Sequence, residues 1–276
     1  MARLIDLPVE LLYELELYAV SPALPQTCKT LYQVFNAAPA SYRAQYLIAC
    51  IDQSRTREHT ITKILRNPLC NQDVLETYFR MSTRETDSWK RQAPELPRRL
   101  FRSLSAQPTS TSNPNIRAHC GRARSATGTG TRPWTERDHP LPFLRYLYSC
   151  PHIHPPAVNS HDGYALTKAV QSGFVALVRF LLDHGATPDW KDNLAVSIAI
   201  HRKDLRLVRM LVERVETGLS PEGKRTRSKR RRLEDRLAVT PAMLRAAVKC
   251  KAQDIVEYFT REKGCIPDMQ TLLMMQ

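Results

Sequence analysis

Four stretches of this 276-residue chain carry side chains whose types and spacing could do chemistry. Gly218-x-x-x-x-Gly223-Lys224 has the spacing of a phosphate-cradling loop. That loop needs a strand before it, a helix after it, and Ser or Thr directly behind the lysine. Here a helical pattern precedes, Arg225 follows, and a basic coil comes next, so phosphate binding is not expected. Cys150, His152, His154 and His161 are donors that suit zinc. Cys-Pro-His-Ile-His-Pro falls where the pattern demands a turn, and no metal is expected. Cys28 beside Lys29 sets a thiol next to a cation, the arrangement that activates thiols. Its place on an apolar helix reads instead as packing. No paired carboxylates and no nucleophile–histidine arrangement has supporting context. The chain is read as a non-enzyme without a cofactor.

The fourth stretch is basic. Lys224, Arg225, Arg227, Lys229, Arg230, Arg231 and Arg232 fall within nine residues that contain no acid. Like charges at this density keep a segment extended and accessible. Three readings fit it: an importin-docked nuclear signal, a solvated insertion between helices, or a contact with an anionic surface. Residues 98–132 carry seven more basic residues and again no acid. Setting these fourteen aside leaves 27 basic residues against 27 acidic ones, so the formal net charge of +14 sits in two linker-like segments. The neutral remainder, with no groove-reading motif, argues against nucleic acid as the main partner. No apolar run nears the roughly 18 residues of a membrane span. Acids at 6, 10, 14 and 16 break up the first apolar stretch, and seven scattered cysteines suggest no disulfide framework. A nuclear or cytoplasmic location is expected.

The elements that would position such residues are helices in a repeat. Leu177-Val178-x-x-Leu181-Leu182 is the apolar stripe of an amphipathic helix. The stripe returns at Leu207-Val208-x-x-Leu211-Val212 and Ile255-Val256-x-x-Phe259, and occurs earlier at Phe143-Leu144-x-x-Leu147. The offsets are 30, 48 and 34 residues, and the basic run 224–232 lies inside the long one. A second apolar segment precedes three of the stripes at a fixed distance: Leu166, Ala169 and Val170, then Val196, Ala199 and Ile200, then Leu244, Ala247 and Val248. Gly173 is placed to end the first helix of its pair in a left-handed residue.

Asp162-Gly163-x-x-Leu166-x-x-Ala169-x-x-x-Gly173-x-x-x-Leu177-Val178-x-x-Leu181-Leu182-x-x-Gly185-Ala186 resembles the ankyrin-repeat consensus, and the likeness extends over about 138–270. It departs from the family's Thr-Pro-Leu-His, having Tyr164-Ala165-Leu166-Thr167 instead. The resemblance implies a protein-binding array whose turn tips and inner helices choose the partner. By repeat register the contact positions are Asp162, Tyr164, Lys168, Trp190, Lys191, Asp192 and His201. A degenerate repeat is expected over 56–82, and a short amphipathic piece from Leu96 to Leu104.

Residues 4–35 differ in character. Leu4, Leu7, Leu11, Leu12 and Leu15 share one helical face, with Asp6 placed to cap the start and Pro8 tolerated in the first turn. A second helix is expected from Gln26 to Phe35. Leu7-Pro8-x-Glu10-Leu11-Leu12 followed by Cys28-Lys29-x-Leu31-Tyr32 resembles an F-box. In that family Leu7, Pro8, Leu11 and Leu12 would dock the linker subunit of an SCF-type cullin–RING ubiquitin ligase, making the chain a substrate receptor. The other reading is a helical cap on the array.

The expected fold is all-α: an ankyrin-type helix-turn-helix solenoid with an N-terminal helical element and a disordered internal linker. The segments are 1–50 (F-box-like or capping helices), 51–102 (helical, with the degenerate repeat), 103–135 (a basic Ser/Thr-rich linker, or translated intron) and 136–276 (repeats, with a basic insertion at 217–236). The expected function is a protein–protein adaptor, alternatively a nuclear scaffold touching nucleic acid through its basic segments.

Overall fold

The structure, a computed structural model, describes residues 4–21, 23–53, 60–82, 93–105, 133–214 and 235–275. The basic run at 224–232, the Gly218–Lys224 spacing and positions 106–132 of the linker lie outside the described residues. The fold is all-α. Among the described residues there is no strand, only an isolated bridge between Glu95 and Ala157. Two compact units form: 1–100 with 139–157, and 101–138 with 158–276.

In the first unit α1 (Val9–Ala19) and α2 (Lys29–Asn36) close on α3 (Ala40–Gln53). Leu12, Leu31, Phe35, Ala38 and Tyr42 form their core, with Leu7, Tyr13, Leu17 and Leu24 packed against it. Tyr13 and Tyr42 stack at 4.3 Å, and the Tyr42 hydroxyl donates to the Tyr13 carbonyl at 3.2 Å. Next come α4 (Thr60–Arg66) and α5 (Gln72–Met81), burying Ile61, Ile64, Leu65, Val74, Leu75 and Tyr78. Asn71 caps α5 by accepting from the Val74 amide. Helix α6 (Arg99–Arg102) brings in Arg99, which donates to the carbonyls of Leu65 at 2.6 Å and Cys70 at 2.9 Å. Those are the carbonyls that the end of α4 and the following turn leave without a partner. Burial pushes the Cys70 thiol up to about 12, opposed by the same guanidinium. Helix α7 (Leu141–Ser149) buries Leu141, Phe143, Leu144 and Leu147.

The second unit is a double row. Helices α8 (Ser160–Ser172), α10 (Trp190–His201), α12 (Pro241–Lys249) and α14 (Met269–Met275) pack in sequence along one side. Helices α9 (Val175–Asp183), α11 (Leu205–Val212) and α13 (Gln253–Glu257, continued by a π turn to Glu262) follow along the other. Every residue of the stripes Leu177-Val178-Leu181-Leu182 and Leu207-Val208-Leu211-Val212 is buried, as are Leu166, Ala169, Val170, Val196, Ala199, Ile200, Leu244 and Ala247.

One turn joins the helices of each pair three times over. Gly173, Lys203 and Lys251 are all left-handed, at φ 74°, 55° and 53°. Their amides donate to Val170, Ile200 and Val248, and the next amides to Ala169, Ala199 and Ala247, at 2.9–3.2 Å. This paired bonding satisfies carbonyls that the helix end leaves open. The long interval before α12 also has a structural cause. The amides of Arg236 and Leu237 both return to the Val212 carbonyl at the end of α11, so the inserted residues leave and rejoin the array at one point.

Several local expectations are corrected. Asp6 lies in a separate 3-10 turn, Leu4–Asp6, ahead of α1. The helix starts after Pro8, whose carbonyl accepts its first amide bond, from Leu12. The second helix begins at Lys29, three residues later than expected, behind a 3-10 turn at Leu24–Gln26. Cys28 is not on that helix but ahead of it, where its Sγ accepts from the Leu31 amide. Arg99 is a half-buried donor to two backbone carbonyls and no part of a solvated basic linker. Trp134, near the linker's far end, stacks on Phe174 at 5.2 Å and donates to the Ser172 carbonyl.

Candidate protein-binding surface

The entry to α8 and the entry to α10 share an unusual backbone. His161, Asp162 and Gly163 are left-handed in succession, and so are Lys191, Asp192 and Asn193 exactly one 30-residue offset later. Each helix therefore opens on a left-handed turn that lifts its first side chains away from the helical stripe. Asn159 supports the first turn from below: its side chain accepts from the Thr187 amide and donates to the Gly185 carbonyl. Trp190 closes over Gly163, and a Cβ at that glycine would stand 3.1 Å from the indole Cδ1.

This places four of the seven register-derived positions together. Trp190 remains 42% exposed. Lys191 reaches back to Asp162 with Nζ to Oδ2 at 3.6 Å. Asp192 is exposed beside them. Leu194, two residues after Asp192, is also exposed and was not anticipated. An exposed ion pair of this kind adds little stability. What it supplies is a pair of charges of opposite sign flanking an aromatic side chain already packed on one face, the kind of anchor that dominates interface energies.

The other three positions lie elsewhere. Tyr164 is half-buried, with its ring edge-on to Phe101 at 6.5 Å. Lys168 is half-buried on α8. His201 is exposed at the C-terminal end of α10, about 12 Å along the axis from Asn193 at 1.5 Å per residue. Its Nδ1 donates to the Ser197 carbonyl.

A second surface lies on α1. Leu11, Leu15 and Tyr18 follow at i, i+4 and i+7, and all three are exposed, with Tyr18 at 84%. Of the four docking positions read from sequence, Pro8 and Leu11 reach this surface. Leu12 is a core residue, and Leu7 is half-buried against that core.

Of the Cys/His group only Cys150 lies in the core, while His152 and His154 are exposed and His161 is half-buried. Cys150 is buried, and His152 stacks on Phe79 at 5.2 Å beside a cleft of about 450 Å³ lined also by Glu76, Arg80 and Tyr146. Among the described residues no three His, Cys, Asp or Glu side chains converge as metal ligands. None of the described helices is long and apolar enough to cross a membrane.

Compared with models of protein families, with curated proteins and with solved structures, the chain matches none.

Proposed function

We propose that this chain is a protein-binding adaptor that holds a partner on the cluster of Asp162, Trp190, Lys191 and Asp192. The observation that carries the reading is the Trp190–Gly163 contact. It fixes a large aromatic side chain at the surface with little rotamer freedom left to lose, and the second helix pair repeats the turn that presents it. Such preorganisation lowers the ordering cost of binding. No catalytic step enters this reading. The test is affinity purification of tagged chain from cells. Replacing Trp190, Lys191 and Asp192 together by alanine should remove the captured partner while circular dichroism stays unchanged. Retention of the same partner by that variant rejects the surface.

A second reading is favoured by the exposed stripe on α1. A terminal cap should turn a polar face to water, whereas Leu11, Leu15 and Tyr18 turn an apolar one. That supports docking of an SCF-type linker subunit at the F-box-like element, which would make the adaptor a substrate receptor. Leu11→Asp should abolish co-purification of the linker subunit without unfolding. A wild-type chain that never captures it removes this reading and leaves the adaptor reading standing. Nuclear import through Lys224–Arg232 is proposed on charge density alone, and alanine replacement of that run should move a fluorescent fusion out of the nucleus.

A further inference from the structure

Glu16 is out of place in the first unit. It lies on the inward face of α1 at 2% exposure, among tyrosines where an apolar side chain would serve packing better. The Tyr46 hydroxyl donates to the carboxyl group, yet Oε2 has no partner. An ionised carboxylate in such surroundings is costly unless it is paired. Among the described residues no basic side chain pairs with that oxygen, and Arg43 donates to the Asn36 carbonyl instead.

The carboxyl group faces a cavity of about 60 Å³. Its walls are Tyr32, Phe35, Tyr42 and Tyr46, with Pro25, Asn36 and Leu69 completing it. A water needs roughly 10–15 Å³ by a comparable measure, so the space suits a group of a few heavy atoms and excludes a ring or a sugar. Tyr32 is 57% exposed and Asn36 is exposed, which leaves the cavity open at that side. Aromatic walls around a buried, under-bonded carboxylate favour a compact cation: the rings offer their negative faces and the carboxylate a counter-charge.

We propose that this cavity binds a primary ammonium group, carried by a lysine side chain or by a free alkylamine, with Glu16 as its counter-ion. The inference is independent of the adaptor reading and of the α1 stripe. Protons compete with the ligand for the same carboxyl group. Burial raises Glu16 from its ordinary value near 4.5 to about 7. The other titratable groups beside it are Tyr42, Tyr46 and Cys50 on α3, with Tyr32 of α2 lining the same cavity. Burial pushes Tyr42, Tyr46 and Cys50 upward, so these three stay neutral through this range. An alkylammonium keeps its charge below about pH 10. Binding should therefore strengthen about tenfold between pH 6 and pH 8, following ionisation of one group near 7.

The test is a chemical-shift titration of the full chain with propylammonium, and in a parallel arm with Nα-acetyl-lysine methylamide, at pH 6 and pH 8. Saturable shifts at Tyr32, Tyr42 and Tyr46, stronger at pH 8 and absent in Glu16→Gln, support the proposal. Saturation in both arms extends the site to lysine side chains, and saturation by propylammonium alone assigns it to free amines. Tyr32→Leu, at the open side and outside the core, should weaken binding several-fold and guards against a folding defect in Glu16→Gln. Absence of saturation in both arms at pH 8, or shifts unchanged by Glu16→Gln, overturns it.

Discussion

Gly163 and Trp190 are in contact across two neighbouring helix pairs: a Cβ added to the glycine would lie 3.1 Å from Cδ1 and 3.3 Å from Cβ of the tryptophan. The same glycine has φ +68°. Gly163→Ala should lower stability by about 1–2 kcal/mol, combining left-handed strain with displacement of the ring. Asn193 occupies the equivalent place in the next turn at φ 61°. Gly163→Asn therefore tests the contact more than the backbone, and it should still be destabilising. Chemical denaturation followed by circular dichroism gives both values, and a neutral Gly163→Asn would mean that the indole simply moves aside.

The turn that ends the first helix of each pair offers the reverse experiment. Lys203 and Lys251 hold the left-handed conformation that Gly173 holds without a Cβ penalty. Left-handed backbone costs an ordinary residue roughly 1–2 kcal/mol, of which glycine's extra unfolded-state entropy returns about half. Lys203→Gly and Lys251→Gly should each stabilise the second unit by about 0.5–1 kcal/mol. Gly173→Ala should destabilise it. Thermal melts of the three variants rank them directly, and a loss of stability in both lysine variants would mean that their side chains are held by contacts stronger than the strain.

These turns also show where the sequence is legible and where it is not. The stripes from Leu166 to Phe259 are readable because burial on one helical face forces a 3.6-residue period, and the structure buries all of them but Val248 and Val256, which are half-buried. Gly173 announces a left-handed residue by its type. Lys203 and Lys251 take the same conformation silently, because it is imposed by the hydrogen bonds around them. Trp190 could be placed at the surface from repeat register, but its seat on Gly163 could not, since residues 27 positions apart meet only through packing. Helix α3 has no signature of its own within the helices expected over 1–50, because Tyr42, Ala44 and Tyr46 alternate with polar residues ahead of the apolar run 47–51. Cys28 caps α2 although cysteine is a poor oxygen substitute, so no motif signals it. Arg99 hides in a basic stretch whose composition suggests a linker, while its position makes it a half-buried donor to two backbone carbonyls.

Arg99 can be weighed by itself. Its guanidinium satisfies the carbonyls of Leu65 and Cys70. Arg99→Met fills similar volume and leaves both without that donor, which should cost about 2–4 kcal/mol for two charge-assisted bonds. Arg102→Met, three residues later and exposed, should change stability by no more than about 0.5 kcal/mol. Urea denaturation of the pair separates a specific capping role from a general effect of basic charge, which would make the two variants alike.

Glu16 makes a pH prediction whose sign follows from its surroundings. Burial favours the neutral carboxyl, so the folded chain holds this proton up to about pH 7 while the unfolded chain releases it near 4.5. Between those values the folded state binds more protons than the unfolded one, and folding stability must fall as pH rises. The contribution is fully present below about pH 4.5, is lost through pH 7, and is flat above it. Its full size is at most about 3 kcal/mol, from the separation of the two values. Other carboxylates titrate over part of the same range, so the measured quantity is the difference between wild type and Glu16→Gln. Glutamine keeps the shape but carries no charge at either pH. That difference should favour wild type most at pH 4.5 and shrink or reverse by pH 8. A difference that stays constant across the range would mean that Glu16 titrates alike in the folded and unfolded chains, as a carboxylate open to water would.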